Sequence, residues 1–277
     1  MTGLWIWKKN GQNRHIRISL AYVIMIILIW IPMARRKSLA FLDVGQGDCF
    51  VADTKSGAII FDGGSSSEDQ VGRYRILPYM KYLGYQKIQI AVISHMDIDH
   101  YSGIKELLEM GKIKYLGLPE IPKDETMKKI IGIAKKRGTT IFYLSRGRQI
   151  TTKDGSLKVL HPQKNSQMEK NAASLVMQGK ILGYRVLLTG DVEKEGEEEL
   201  LSEELERADI LKAAHHGSKN STSNEFLQKV QPKQTVISCG KQNRYGHPHL
   251  ETIHRLQTYR TKIYRTDRSG AIIFFKR

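Results

Sequence analysis

Between Lys87 and Gly103 the chain reads KIQIAVISHMDIDHYSG, an apolar strand that runs directly into two histidines and two aspartates. A strand would place His95, Asp97 and Asp99 on one face and turn His100 away; a helix would align His95 with Asp99 and leave Asp97 out. No single regular element gathers all four, so a turn following the strand is expected to wrap them around one point. Crowding such groups is costly unless a cation sits among them. His95, Asp97, Asp99 and His100 therefore read as half of a metal site, and the rest of the fold must bring the other half to this strand end.

Two other strand ends offer that half. Asp191 closes the apolar run VLLTGD, where a carboxylate can bridge two metal ions about 3.5–4 Å apart. The same residue would also serve as an N-cap for the acidic segment that follows. His215 and His216 close DILKAAHHGS. One of them is expected to bind metal, and the other to donate to a phosphate or act as a general acid.

The 277 residues suffice for one large domain with a sizeable core. The net charge of +16 is concentrated first in residues 1–40, which hold seven Lys or Arg and no acid; the remainder carries +9. A basic body favours a polyanionic partner. Two cysteines, Cys49 and Cys239, exclude a disulfide-rich scaffold and a cysteine-based zinc module. Ile18 to Ala34 is a 17-residue run without a charge, flanked by Lys8, Lys9, Arg14 and Arg17 before and Arg35, Arg36 and Lys37 after. That length is at the lower limit for a spanning helix, and the MARRK that follows is a poor cleavage site for a signal peptide. The expectation is a basic tail over 1–17, a transmembrane anchor over 18–34 and one α/β domain over 38–277, in which strand and helix patterns alternate through two similar halves without a linker.

Five motifs occur in one order: FLDVGQGD, SHMDIDHYSG, LLTGD, LKAAHHGS and GHPH. In this they resemble the metallo-β-lactamase-like hydrolase domain of ComEC-type DNA-uptake (competence) proteins, over about residues 38–277. The resemblance implies a four-layer αβ/βα sandwich with a metal site at one edge of two facing sheets, here preceded by the N-terminal transmembrane helix. It implies that His95, Asp99 and His100 match the superfamily metal motif, with Asp97 where a second histidine usually stands. Asp191 matches the bridging aspartate. His215 is taken as the last metal-binding histidine, with His216 as its close competitor and a candidate catalytic group. Asp62 of FDGG matches a residue that supports the metal loop through hydrogen bonds. Asn171 and Ser174 match polar residues of this branch near the centre. Two departures stand out. The further metal histidine usual before the bridging aspartate has only His161 as its obvious candidate, and Ser102 replaces a usual glycine.

A ligand set of three carboxylates and three imidazoles suits manganese as well as zinc, and two divalent ions are expected. With such ions Asp99 becomes part of the catalytic machinery. His247, in NRYGHPH, is a candidate general acid or oxyanion stabiliser. Ser218, Lys219, Ser221 and Thr222, together with Arg244, are candidates to hold a phosphate, and Ser218 is also a catalytic candidate. The function expected is a metal-dependent phosphodiesterase or nuclease acting on DNA, single-stranded by preference. The alternatives are a hydrolase of small esters or phosphoesters and a non-enzymatic DNA-binding module. The partners expected are single-stranded DNA, the bacterial membrane and components of a DNA-uptake channel. The domain would sit on a single-pass anchor in the cell membrane, facing outward.

Overall fold

The computed structural model describes residues 14–26, 36–168, 171–203 and 205–277. The chain divides into two compact units, Met1–Arg36 and Lys37–Arg277. In the first, residues 14–26 are helical (α1). Here the expectation of a single-pass anchor over 18–34 is corrected: among the described residues no helix is long and apolar enough to cross a membrane. Residues 1–13 and 27–35 lie outside the described residues.

The second unit is built on two seven-stranded sheets. The first contains β1 (Ser38–Phe41), β2 (Phe50–Thr54), β3 (Gly57–Phe61), β4 (Ile88–Val92), β5 (Ile113–Pro119) and β6 (Thr140–Leu144), in sequence order, with β14 (Ile272–Phe275) added beside β1. The second contains β7 (Gln149–Thr152), β8 (Gly155–His161), β9 (Val176–Ile181), β10 (Tyr184–Leu188), β11 (Ile210–Lys212), β12 (Gln234–Ile237) and β13 (Lys262–Arg265), also in order. In each sheet one run of strands is antiparallel and the other parallel: β3 to β6 in the first, β10 to β13 in the second.

Strand residues alternate between two buried faces, so the strands read as nearly continuous apolar runs. Leu39, Phe41, Phe50, Ile59 and Phe61 of the first sheet meet Val159, Met177, Val186 and Leu188 of the second in a central core. Their neighbours Ala40, Val51 and Ile60 face outward onto Ile104, Leu107 and Leu108 of α3 (Ile98–Glu109) and Met127 and Ile130 of α4 (Glu125–Lys136). On the far side Val176, Leu187 and Leu211 pack on Leu200 of α5 (Lys194–Leu201), Phe226 of α6 (Asn224–Val230) and Leu256 of α7 (Leu250–Thr258). Helix, sheet, sheet and helix thus form four layers. The two halves are not closed in sequence, however. β14 crosses from the end of the chain and pairs antiparallel with β1, Ser38 opposite Phe275.

The parallel strands place the site. Asp62 follows β3, Ser94 to His100 follow β4, Asp191 follows β10 and His215–His216 follow β11. All lie beyond the carboxyl ends of parallel strands, where open α/β sheets leave room for a ligand.

Candidate metal centre

The opening motif is half loop and half helix, not the simple turn expected from sequence. Asp97 stands at the N-cap of α3 with extended backbone, so Asp99 and His100 occupy the first helical turn. Ser94 and His95 precede it as a buried loop. Three backbone bonds clamp this turn. Asp48 N–H donates to Asp99 O at 3.0 Å, Gly63 N–H to His100 O at 2.8 Å, and Gly64 N–H to Asp48 O at 3.1 Å. Gly64 is required by close approach, since a Cβ there would stand 2.5 Å from Ile98 O.

Asp62, fully buried, orients the loop. It accepts from Ser94 N–H at 2.7 Å through one oxygen and meets His100 Nδ1 at 3.0 Å through the other. This turns His100 Nε2 toward Asp191 Oδ2, at 3.2 Å. Asp191 is held in turn by Ser174, whose Oγ accepts from Asp191 N–H at 3.3 Å. Asn171 carries that loop through its carbonyl, which accepts from Ser174 N–H at 3.0 Å.

His215 and His216 both have left-handed backbone, with φ of 47° and 52°. Such angles are uncommon outside glycine and cost energy that the surroundings must hold in place. The turn sends the two rings in different directions. His216 Nδ1 donates to Ser238 O at 2.8 Å, and its Nε2 stands 3.4 Å from both Asp99 Oδ2 and Asp191 Oδ2. His215 is partly exposed; its Nδ1 meets Glu193 Oε1 at 2.8 Å and its Nε2 lies 3.8 Å from Asp191 Oδ2. His95 Nε2 is 3.6 Å from Asp97 Oδ2, and its Nδ1 meets Ser94 Oγ at 3.0 Å.

His95 Nε2, His100 Nε2, His216 Nε2 and Asp191 Oδ1 are all buried without a hydrogen-bond partner. Buried polar atoms are normally satisfied. Imidazole nitrogens aimed at carboxylates, each fixed through its other nitrogen, are the pattern that metal ligation produces. The donor set fits a divalent cation.

Asp48 was not singled out as a site residue from sequence, although FLDVGQGD contains it. It joins His100, Asp191 and His216 in a buried group whose ligand-type atoms lie within 4.8 Å of one another. Its carboxylate faces the Nδ1 atoms of the rings, 3.8 Å from His100 and 3.6 Å from His216. That is the side away from the Nε2 atoms. There it binds the ammonium of Lys212, which also donates to Gly190 O at 3.2 Å and lies 3.7 Å from Asp191 Oδ1. Lys212 and Asp48 thus form an ion pair behind the ligands.

The charges reinforce each other. Burial would raise the Asp99 carboxyl, but His216 contact and the charges of His100 and His216 bring it down to about 2. Burial would lower His216, yet Asp191 and Asp48 push it up to about 10. Asp191 is held well below the usual carboxylate range despite its burial, because His100 and His216 face it. His247 moves the other way. Burial and the charges of His216, His215 and His249 lower it to about 4, so it is uncharged at neutral pH. Its ring lies 6.2 Å from His216 and 5.4 Å from His215, and Asn243 grips its backbone on both sides.

The remaining candidates spread outward. His161 is engaged by Ala172 O at 2.7 Å and Glu199 at 3.3 Å, not by the carboxylates of the centre. Ser218 is buried and its Oγ accepts from Asn220 N–H at 3.3 Å. Ser221 and Thr222 are buried too. Lys219 and Arg244 are exposed; Lys219 N–H donates to His249 Nδ1 at 3.2 Å, and Arg244 lies against the Tyr245 ring.

Known proteins share this frame. The chain is 35% identical over 269 residues to ComE operon protein 3 of Bacillus subtilis, covering 90% of this chain and 34% of that protein. It is 30% identical over 242 residues to competence protein ComA of Neisseria gonorrhoeae, covering 84% of this chain and 31% of that one. It therefore spans about a third of the length of these curated relatives. Among solved structures, the metallo-β-lactamase fold protein YhfI of Bacillus subtilis superimposes with a TM-score of 0.58 at 13% identity, covering 85% of this chain and 99% of that one. The short form of human tRNase Z does so with a TM-score of 0.51 at 13% identity, covering 87% and 99%. The family model of the metallo-beta-lactamase superfamily matches residues 42–241, a span running from the strand end before Asp48 past Ser238. Two facing sheets, a histidine–aspartate centre at their shared edge and this match leave one conclusion: the chain belongs to the metallo-β-lactamase superfamily.

Proposed function

We propose that the chain is a metal-dependent phosphodiesterase that cleaves DNA, single-stranded by preference. The observation that carries this reading is the convergence of two buried imidazole Nε2 atoms, of His100 and His216, on Asp191, with no other hydrogen-bond partner, beside a third buried and unpartnered Nε2, that of His95, which faces Asp97. His95, Asp97, Asp99, His100, Asp191 and His216 would hold divalent metal, manganese or zinc, two ions by our reading of the donor set; His215 is the nearest further imidazole. Metal bound there supplies an activated water and a Lewis acid toward phosphorus.

The chain's own groups do the rest. Asp62 and Ser238 fix the two rings so that only Nε2 faces the reaction. His247 is uncharged near pH 7, so it donates a hydrogen bond to a phosphate oxygen more readily than it delivers a proton. Lys219 and Arg244 offer exposed cations at the rim for neighbouring phosphates. Ser218, being buried, supports this rim rather than attacking phosphorus. One relative is named a competence protein, which supports a nucleic-acid substrate, and the partners we propose are components of a DNA-uptake apparatus.

The test is degradation of end-labelled single- and double-stranded DNA by metal-stripped protein resupplied with manganese, zinc or magnesium. A His95→Ala/Asp99→Ala variant is the control. Metal-dependent cleavage absent from the control supports the reading. Tight metal binding with intact DNA and turnover of small esters would replace it with a small-ester hydrolase. DNA binding without metal binding would make the domain a non-enzymatic holder of DNA.

A further inference from the structure

One segment near the motif plays no part in the centre. Its sequence is GRYRILPYMKYLGYQK, from Gly72 to Lys87. The sequence pattern reads as one helix from Asp69 that stops at Gly84; the structure opens it with a π-helical turn, Gly72–Ile76, before α2 (Leu77–Tyr82). Such turns are rare and cluster at functional sites. Between buried Gly72 and buried Ile76, three consecutive residues are exposed: Arg73, Tyr74 and Arg75. Lys81, Tyr82 and Lys87 are exposed beyond them.

The two tyrosines are unusual. Tyr74 is 64% exposed and Tyr82 is 70% exposed. Tyr82 is backed by Tyr79, whose ring stacks at 6.0 Å and 29° and packs against the outer core. The patch is also fixed rigidly to the metal-binding helix. Gly72 and Gly103 pack backbone to backbone; a Cβ on Gly72 would run into Gly103 O, and one on Gly103 would meet Gly63 O at 2.6 Å. Gly103 lies three residues after His100 on α3, about 5 Å along the helix axis.

From this we infer that Tyr74 and Tyr82, with Arg73, Arg75, Lys81 and Lys87, form a docking surface for a single-stranded polynucleotide whose scissile phosphate lies in the metal centre. The inference rests on the nuclease reading and deepens it. Aromatic rings interleaved with cations meet the two features of such a strand, unpaired base faces and backbone phosphates. A duplex hides its base faces, so this surface gives preference to single strands. Glu68 Oε2 lies 3.5 Å from the Arg75 guanidinium at the surface, a weak pair that a phosphate can displace.

The experiment uses the full chain as wild type, as Tyr74→Ala/Tyr82→Ala and as Tyr74→Phe/Tyr82→Phe. Binding of a labelled oligothymidylate of roughly 20 nucleotides is followed by anisotropy in chelator. Turnover of bis-para-nitrophenyl phosphate with manganese is measured beside it. The alanine pair should weaken strand binding at least about tenfold and the phenylalanine pair by no more than about twofold, because stacking needs the ring and not the hydroxyl. Turnover of the small diester should be the same in all three. If wild type cleaves DNA and the alanine pair binds the strand equally well, the docking surface is wrong and the nuclease reading stands. If the alanine pair slows the small diester as much as it weakens the strand, the patch only props α3, and the inference falls. A wild type that neither binds nor cleaves the strand removes both.

Discussion

Lys212 and Asp48 form a buried ion pair on the Nδ1 side of His100 and His216, with the ammonium also within 3.7 Å of Asp191. Both side chains are almost completely shielded from solvent. Removing one member leaves an uncompensated charge in the interior, which costs about 3–5 kcal/mol; replacing both by neutral groups of similar shape costs much less. Lys212→Met and Asp48→Asn should each lower the urea midpoint of the metal-free protein sharply, and the double variant should recover most of the loss. Metal stoichiometry should be unchanged in the double variant, as expected of groups that position ligands. Loss of an ion in that variant would make Asp48 a ligand.

The two neighbouring histidines should separate cleanly. His216 Nε2 faces two carboxylates, while His215 is partly exposed and turned to Glu193. His216→Ala should reduce metal affinity by more than the roughly 10–100-fold typical of losing an outer partner of a ligand, and His215→Ala by less. Titration calorimetry with manganese and zinc distinguishes them. The reverse order would reassign the ligand.

Asp62 should behave as an orienting group. Asp62→Ala deletes the acceptor of Ser94 N–H and the partner of His100 Nδ1. A loss of about 10–100-fold in metal affinity is expected, with the stoichiometry retained. Wild-type affinity in this variant would contradict the role.

Stability of the metal-free protein should depend on pH with a predictable sign. His216 is raised from 6.5 to about 10, so its contribution is complete below about 6.5 and is lost as pH rises toward 10. Asp99 is lowered from 3.8 to about 2, so its contribution is present above about 3.8 and is lost as pH falls toward 2. Between these limits, near pH 4–6.5, both contributions are present. Urea midpoints measured in chelator should fall on the alkaline side for wild type and less for His216→Gln, the remaining fall belonging to His100, which Asp191 and Asp62 also hold well above the usual imidazole range. An alkaline fall of equal size in the variant would show that another group is responsible.

Sequence alone located the strand ends that bear polar groups. Apolar runs into SHMDIDH, TGD and AHHGS are local patterns, and local alternation is what strand formation depends on. The order of the motifs carried the superfamily. The N-terminal run shows where such reading fails: a count of uncharged residues over 18–34 suggested a span, and among the described residues no helix meets that need. Other features were decided by tertiary structure because they depend on partners distant in the chain. The pairing of β14 with β1 joins the two ends of the domain. Which of His215 and His216 is buried between Asp99 and Asp191 depends on a left-handed turn held by Ser238 and Thr222. The meeting of Asp48 with Lys212 requires the two sheets to be face to face. Each of these is an orientation in space, and neighbouring residues in sequence leave orientation undetermined until the core packs.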